Sequence, residues 1–190
     1  NKSGCHKCRK EFPEMPLVPY ATGGYICTSP FPYDGIFRRA VLNFKFHNCG
    51  AYAELLSHEM VRSIKDVYRD REFDLVTCVP MHKDTLRKRG YNQAELLAKE
   101  CARLLGIEYA DLLVKTKKNK TQHSIKAAER AKNVIGVYSP IDKNLIKGKR
   151  ILIIDDIITT GSTLGECARI LNKCKCGEIC CCTLCTSLLI

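Results

Sequence analysis

The sequence predicts an α/β protein, a parallel sheet with helices on both faces. Two observations carry that expectation. Ile151 to Ile154 form an unbroken aliphatic run, as in a strand buried on both faces. From residue 73 onward, strand-like runs alternate with amphipathic helical stretches, the pattern of parallel strands joined by crossover helices. With 190 residues, the chain has room for one such domain and a small appendage. The boundaries read as 1–24 for the appendage and 25–190 for the domain.

Residues 1–24 are polar and turn-rich, with Pro13, Pro16, Pro19, Gly23 and Gly24. They contain Cys5-His6-Lys7-Cys8. A C-x-x-C pair is half of a structural Zn²⁺ site, which takes four ligands. Residues 25–33 read as extended. Gly35 to Phe46 follows a helical period, with Ile36, Ala40, Val41 and Phe44 on one side and Arg38, Arg39 and Lys45 toward the other. A second helix spans about 51–67, its apolar face Leu56, Met60, Ile64 and Val67.

Phe73 to Val79 is the next strand, ended by Pro80. The loop after it carries His82, Lys83, Arg87, Lys88 and Arg89, and loops leaving parallel strands are where α/β ligand sites form. A helix then starts near Asn92, whose spacing to Glu95 is a capping-box variant, with Ala94, Leu97, Cys101 and Leu104 inward. Residues 107–114 predict a strand, 115–120 a basic loop, 121–133 a helix, and 134–138 an extended segment. Glu178 to Ser187 is the last strand. Its contiguous Cys180 to Cys182 point alternately to opposite faces, so they read as core rather than as a metal cluster.

The formal net charge of +11 points to anionic partners, phosphorylated metabolites or nucleic acid. No apolar run reaches the roughly 18 residues of a spanning helix. No signal peptide is visible. The 13 cysteines do not form a disulfide framework; Cys78, Cys101 and Cys167 fall on apolar positions, which fits a reducing cytoplasm.

The chemistry concentrates after Ile154. Asp155 and Asp156 are followed by Thr159, Thr160, Gly161, Ser162 and Thr163, and then by a helix beginning near Leu164. Gly161 permits a turn closed to other residues. Helix-start N–H groups and hydroxyls favour an anion. Two acids beside an anion pocket fit if they face sugar hydroxyls or Mg²⁺. No Gly-Lys-Ser/Thr is present, so this is not a Walker A loop, and Gly161 with Gly165 does not make a dinucleotide fingerprint.

This stretch resembles the 5-phosphoribosyl 1-diphosphate (PRPP) motif of type I phosphoribosyltransferases. The whole chain resembles the ComF family of bacterial competence proteins, which join a zinc ribbon to such a domain. The matching pieces are Phe44-Lys45-Phe46, Val79-Pro80 with His82, Arg89 to Ala98, Thr121-Gln122 with Glu129-Arg130, Asn133-Val134, and residues 152–164. Only Cys5 and Cys8 stand where a four-cysteine ribbon is expected, a zinc-ribbon remnant.

The resemblance implies a type I phosphoribosyltransferase fold. It places Asp155 and Asp156 at the ribose, Thr159 to Thr163 around the 5′-phosphate, and His82, Lys83, Arg87 and Arg89 at the pyrophosphate. It implies Mg²⁺-dependent transfer of phosphoribose and a role in DNA uptake alongside other competence proteins. The alternative is a single-stranded DNA-binding module that keeps the fold without catalysis; the net charge and the 115–120 loop favour that reading.

Overall fold

The computed structural model describes residues 20–22, 25–46, 51–117 and 134–188. The Cys5–Cys8 pair, most of the basic loop and the helix expected at 121–133 lie outside the described residues.

Three short strands open the fold: β1 (Tyr20–Thr22), β2 (Tyr25–Thr28) and β3 (Phe31–Pro32). Two helices follow, α1 (Gly35–Phe46) and α2 (Ala51–Val67). Then come β4 (Leu75–Cys78), α3 (Lys83–Arg89), α4 (Gln93–Leu105), β5 (Glu108–Tyr109), β6 (Leu113–Lys115) and β7 (Tyr138–Pro140). The chain closes with β8 (Arg150–Ile158), α5 (Ser162–Lys173) and β9 (Glu178–Thr186).

The main sheet has the order β1-β2-β9-β8-β4-β5, with β3 also paired to β9. Every pairing in it is parallel except β1 with β2. The expected parallel sheet flanked by helices is therefore present. β8 and β9 are its centre, and their residues alternate between two apolar layers. Leu152, Ile154, Cys180 and Cys182 pack with α1, α2 and α4 on one face. Ile151, Ile153 and Cys181 pack with Leu164, Cys167 and Leu171 of α5 on the other. Cys180, Cys181 and Cys182 are all fully buried, so they are core, as their alternation on a strand predicted. Burial pushes the thiols of Cys27, Cys78 and Cys101 up to about 12, which leaves them inert as nucleophiles.

Four expectations need correction. First, the apolar face of α1 runs through Phe37, Val41 and Phe44; Ile36 is exposed. Phe37 stacks on Phe31, with ring centroids 4.2 Å apart, and this contact fixes the rotation of the helix. Second, residues 107–114 form two strands in different sheets. β5 extends the main sheet beside β4, while β6 pairs antiparallel with β7. Third, residues 134–137 form a turn, and the strand begins only at Tyr138. Fourth, the cationic stretch after β4 is not an open loop, because seven of its residues form α3.

Candidate functional site

β4 leads to β5 through α4 on one face of the sheet, and β8 leads to β9 through α5 on the other. β4 and β8 are neighbours whose connections diverge. In open α/β sheets this divergence opens a crevice at the carboxyl ends of the strands, where ligands bind. The last β4–β8 pair is Cys78 with Ile154, closed by the Val79 N–H donating to Ile154 O at 3.0 Å. Asp155 is the next residue on β8.

The acid pair lies inside β8 rather than past its end. β8 runs on to Ile158 because β9 continues beside it, with Asp155 opposite Thr183 and Ile158 opposite Thr186. The two residues alternate along the strand, yet their carboxyl groups stay close enough to interact. Asp155 follows Ile151 and Ile153 onto the α5 face, where its charge acts on Tyr138 and Cys167. The charge of Asp156 acts instead on Cys185, which packs with the α1, α2 and α4 layer.

Asp155 retains some residue surface, but its carboxyl group is enclosed by protein. Burial raises it well above the usual carboxylate range, and the neighbouring Asp156 charge raises it further. The Asp156 N–H, donating to Asp155 Oδ1 at 2.9 Å, opposes this. The charge of Lys45 opposes it too. A carboxylate enclosed in this way favours a cation or a hydroxyl donor as its partner.

After Ile158 the chain turns through Thr159 and Thr160, both exposed, to Gly161 at φ +72°. Gly161 occupies the N-cap of α5 and supplies no side-chain cap. Thr160 Oγ1 and Ser162 Oγ are bonded at 2.8 Å. Thr163, in the first turn, is hydrogen-bonded to Tyr138 of β7. Ser162 N donates to Thr160 Oγ1 at 3.4 Å; a helix start with no cap from its N-cap residue and with hydroxyls around it is an anion-binding arrangement.

The segment from β4 divides the expected pyrophosphate cations into two kinds. His82 is the N-cap of α3: its Nδ1 accepts from Asp84 N at 3.2 Å, which puts the ring proton on Nε2. Lys83 and Arg87 are exposed on α3, as is Lys88. Arg89 is half-buried, and its Nη1 donates to Gln93 Oε1 at 2.9 Å. Asn92 caps α4 by accepting from Ala94 N, as expected, and its amide also donates to Val79 O at 3.1 Å.

Three residues near the acids escaped sequence reasoning. Lys115 is half-buried, with Nζ 5.3 Å from the ring centroid of Tyr138; burial lowers its pKa, and Asp155 and Cys167 oppose that shift. Tyr138 carries no local motif. Lys45 lies opposite the apolar side of the α1 period and within the Phe44-Lys45-Phe46 match, and the sequence assigned it no role. Among the described residues, no group of three or more acids, histidines or cysteines is placed to hold a metal ion by itself. No described helix is long and apolar enough to cross a membrane.

A parallel sheet with diverging connections, acids at the end of its central strand and a hydroxyl-glycine loop opening a helix define a phosphoribosyltransferase-type domain. Residues 92–188 match the family described as "Phosphoribosyl transferase domain", and the chain belongs to that family. It is 33% identical to Competence protein F of Haemophilus influenzae over 144 residues, 73% of this chain and 63% of that protein. It is 30% identical to Competence protein ComFC of Bacillus subtilis over 152 residues, 80% of this chain and 60% of that protein. It is also 30% identical to the DNA utilization protein YhgH of Escherichia coli over 101 residues, 53% of this chain and 44% of that protein. The chain thus spans between two fifths and two thirds of these relatives' lengths. Among solved structures, the glutamine PRPP amidotransferase of B. subtilis overlaps 70% of this chain and 26% of its own, with a TM-score of 0.48 and 21% identity.

Proposed function

We propose that the chain binds PRPP together with Mg²⁺ and serves DNA uptake in natural transformation, with phosphoribosyl transfer as its chemistry. The observation that carries the reading is the enclosed Asp155 beside Asp156, on the strand that leads through Gly161 into the start of α5. In this assignment the N–H groups and hydroxyls of Thr159 to Thr163 hold the 5′-phosphate. Asp155 and Asp156 accept from the ribose hydroxyls and offset the positive charge that develops at the anomeric carbon. Lys83, Arg87 and Arg89, with His82, meet the leaving diphosphate. Because no described acid cluster forms a cage, Mg²⁺ would bind through one or both aspartates and the phosphates, and would neutralise charge on the diphosphate. The role in DNA uptake is supported by the relatives named for competence and DNA utilization.

Calorimetric titration with PRPP in Mg²⁺ tests the assignment. Saturable 1:1 binding that is lost in Asp155→Asn supports it, and absence of binding refutes it. Release of pyrophosphate across a panel of nucleobases tests transfer. The Cys5–Cys8 pair is proposed as half of a Zn²⁺ site, and the unpaired thiols of the described cysteines fit a cytoplasmic location.

A second reading has its own support. Lys83, Arg87 and Lys88 are exposed on the short α3, and the chain carries +11. These cations suit a single-stranded DNA backbone. Titration of labelled single strands at two salt concentrations tests it; affinity insensitive to salt excludes the mechanism.

A further inference from the structure

The end of α1 is tied to the segment between α3 and α4 by its backbone. The last carbonyls of a helix have no partner within it. Here two of them are satisfied by side chains from elsewhere: Tyr91 Oη donates to Phe44 O, and Gln93 Nε2 donates to Lys45 O at 3.2 Å. Gln93 is 1% exposed and cannot turn over, because its Oε1 accepts from Arg89. Phe44 is fully buried, with its ring 6.2 Å from that of Tyr91. Residues 89–93 thus fix the last turn of α1, while Asn92 holds the end of β4 through Val79 O. Lys45, carried on that turn, is half-buried, whereas Arg38 and Arg39 of the same helix are exposed. Among the described residues Lys45 has no ion-pair partner, although its charge is felt at Asp155. A half-buried amine that makes no ion pair, on a turn held by its backbone to the segment that follows β4, is placed for an anion that arrives with a ligand.

We infer that Lys45 is a diphosphate-binding cation of this site, and that Tyr91 and Gln93 are positioning residues that set it there through the α1 carbonyls. The inference rests on the reading of the site as PRPP-binding. It adds a cation from the opposite side of the crevice to those on α3. It also gives the Arg89–Gln93 stretch a role that does not require each of its side chains to touch the ligand.

Calorimetry in Mg²⁺ with PRPP and with ribose 5-phosphate tests it. Lys45→Met should weaken PRPP at least tenfold and leave ribose 5-phosphate, which lacks the diphosphate, unchanged. Lys45→Arg should retain most of the PRPP affinity, which separates loss of charge from misfolding. Tyr91→Phe should weaken PRPP several-fold in the parent, but add nothing in the Lys45→Met background. If the parent binds no PRPP, the reading of the site fails and this inference falls with it. If the parent binds PRPP and Lys45→Met binds it equally well, the reading stands and the inference is overturned. Equal weakening toward both ligands also overturns it. An undiminished effect of Tyr91→Phe in the Lys45→Met background overturns the positioning role.

Discussion

The side chain of Gln93 donates to the carbonyl of Lys45, 48 positions earlier in the chain, while its own oxygen accepts from Arg89. One buried amide therefore connects the first helix of the domain to the segment that leaves β4. Residues that read from the sequence as a cationic loop act as the joint between two walls of the crevice.

Asp155 is held above its usual range by burial and by the Asp156 charge. An acid whose folded pKa is raised makes the folded state less stable as pH climbs from the unfolded value, about 3.9, through the folded one. Asp155→Asn removes that penalty. The variant should melt no lower than the parent at pH 7, and its advantage over the parent should shrink as pH falls toward 4. PRPP binding should be lost all the same. Thermal melts at several pH values check the first part and calorimetry the second; a large fall in melting temperature at pH 7 would make Asp155 structural.

Gly161 sits at φ +72°, where a β-branched residue is strained. Its neighbours form the start of α5. Gly161→Val should weaken PRPP at least tenfold, about 1.4 kcal/mol or more. Single-stranded DNA affinity should change little. Equal loss of both ligands would show that they share this loop.

Asp74 and Arg150 join the starts of β4 and β8. Arg150 N and Nε reach Asp74 Oδ2 at 2.7 and 3.2 Å, and Nη2 reaches Oδ1 at 2.8 Å. These bonds hold the Asp74 carboxyl well below the usual carboxylate range. Its contribution to stability is present above the unfolded pKa and is lost as pH falls through the folded one. Asp74→Asn should be less stable than the parent at pH 7, and the gap should begin to narrow only as pH falls below about 4. Chemical denaturation at pH 7 and pH 3 measures both.

A structural zinc site takes four ligands, and Cys5 with Cys8 supplies two. The 190-residue chain should hold zinc weakly or not at all. Metal analysis after dialysis against a mild chelator checks this. One tightly held zinc per chain would show that Cys5 and Cys8 have further partners.

Much of the architecture was legible locally. An unbroken run such as Ile151 to Ile154 has few alternatives to a doubly buried strand, and the period of Leu97, Cys101 and Leu104 belongs to a helix. The phosphate loop was legible because Gly161 and the hydroxyls around it are contiguous, so the helix start they build forms wherever the strand before it ends. The acids were visible for the same reason. Their position inside β8 was not, because it depends on β9 continuing beside β8 past residue 154. A charged residue can extend a strand when the neighbouring backbone offers the hydrogen bonds.

Long-range partners decided the rest. His82, Arg89 and Lys45 look alike in the sequence, as polar residues in basic surroundings. His82 caps α3 and Arg89 braces Gln93, while Lys45 makes no ion pair among the described residues and its charge acts on Asp155. Tyr138 gained its link to Thr163 only when β7 came to pack beside α5. The sequence by itself determined the strand, the loop and the chemistry available there, because these depend on neighbours a few residues apart. The tertiary structure alone decided which cations are committed to the fold and which face the crevice, because hydrogen bonds and burial are set by residues that meet only once the sheet has formed.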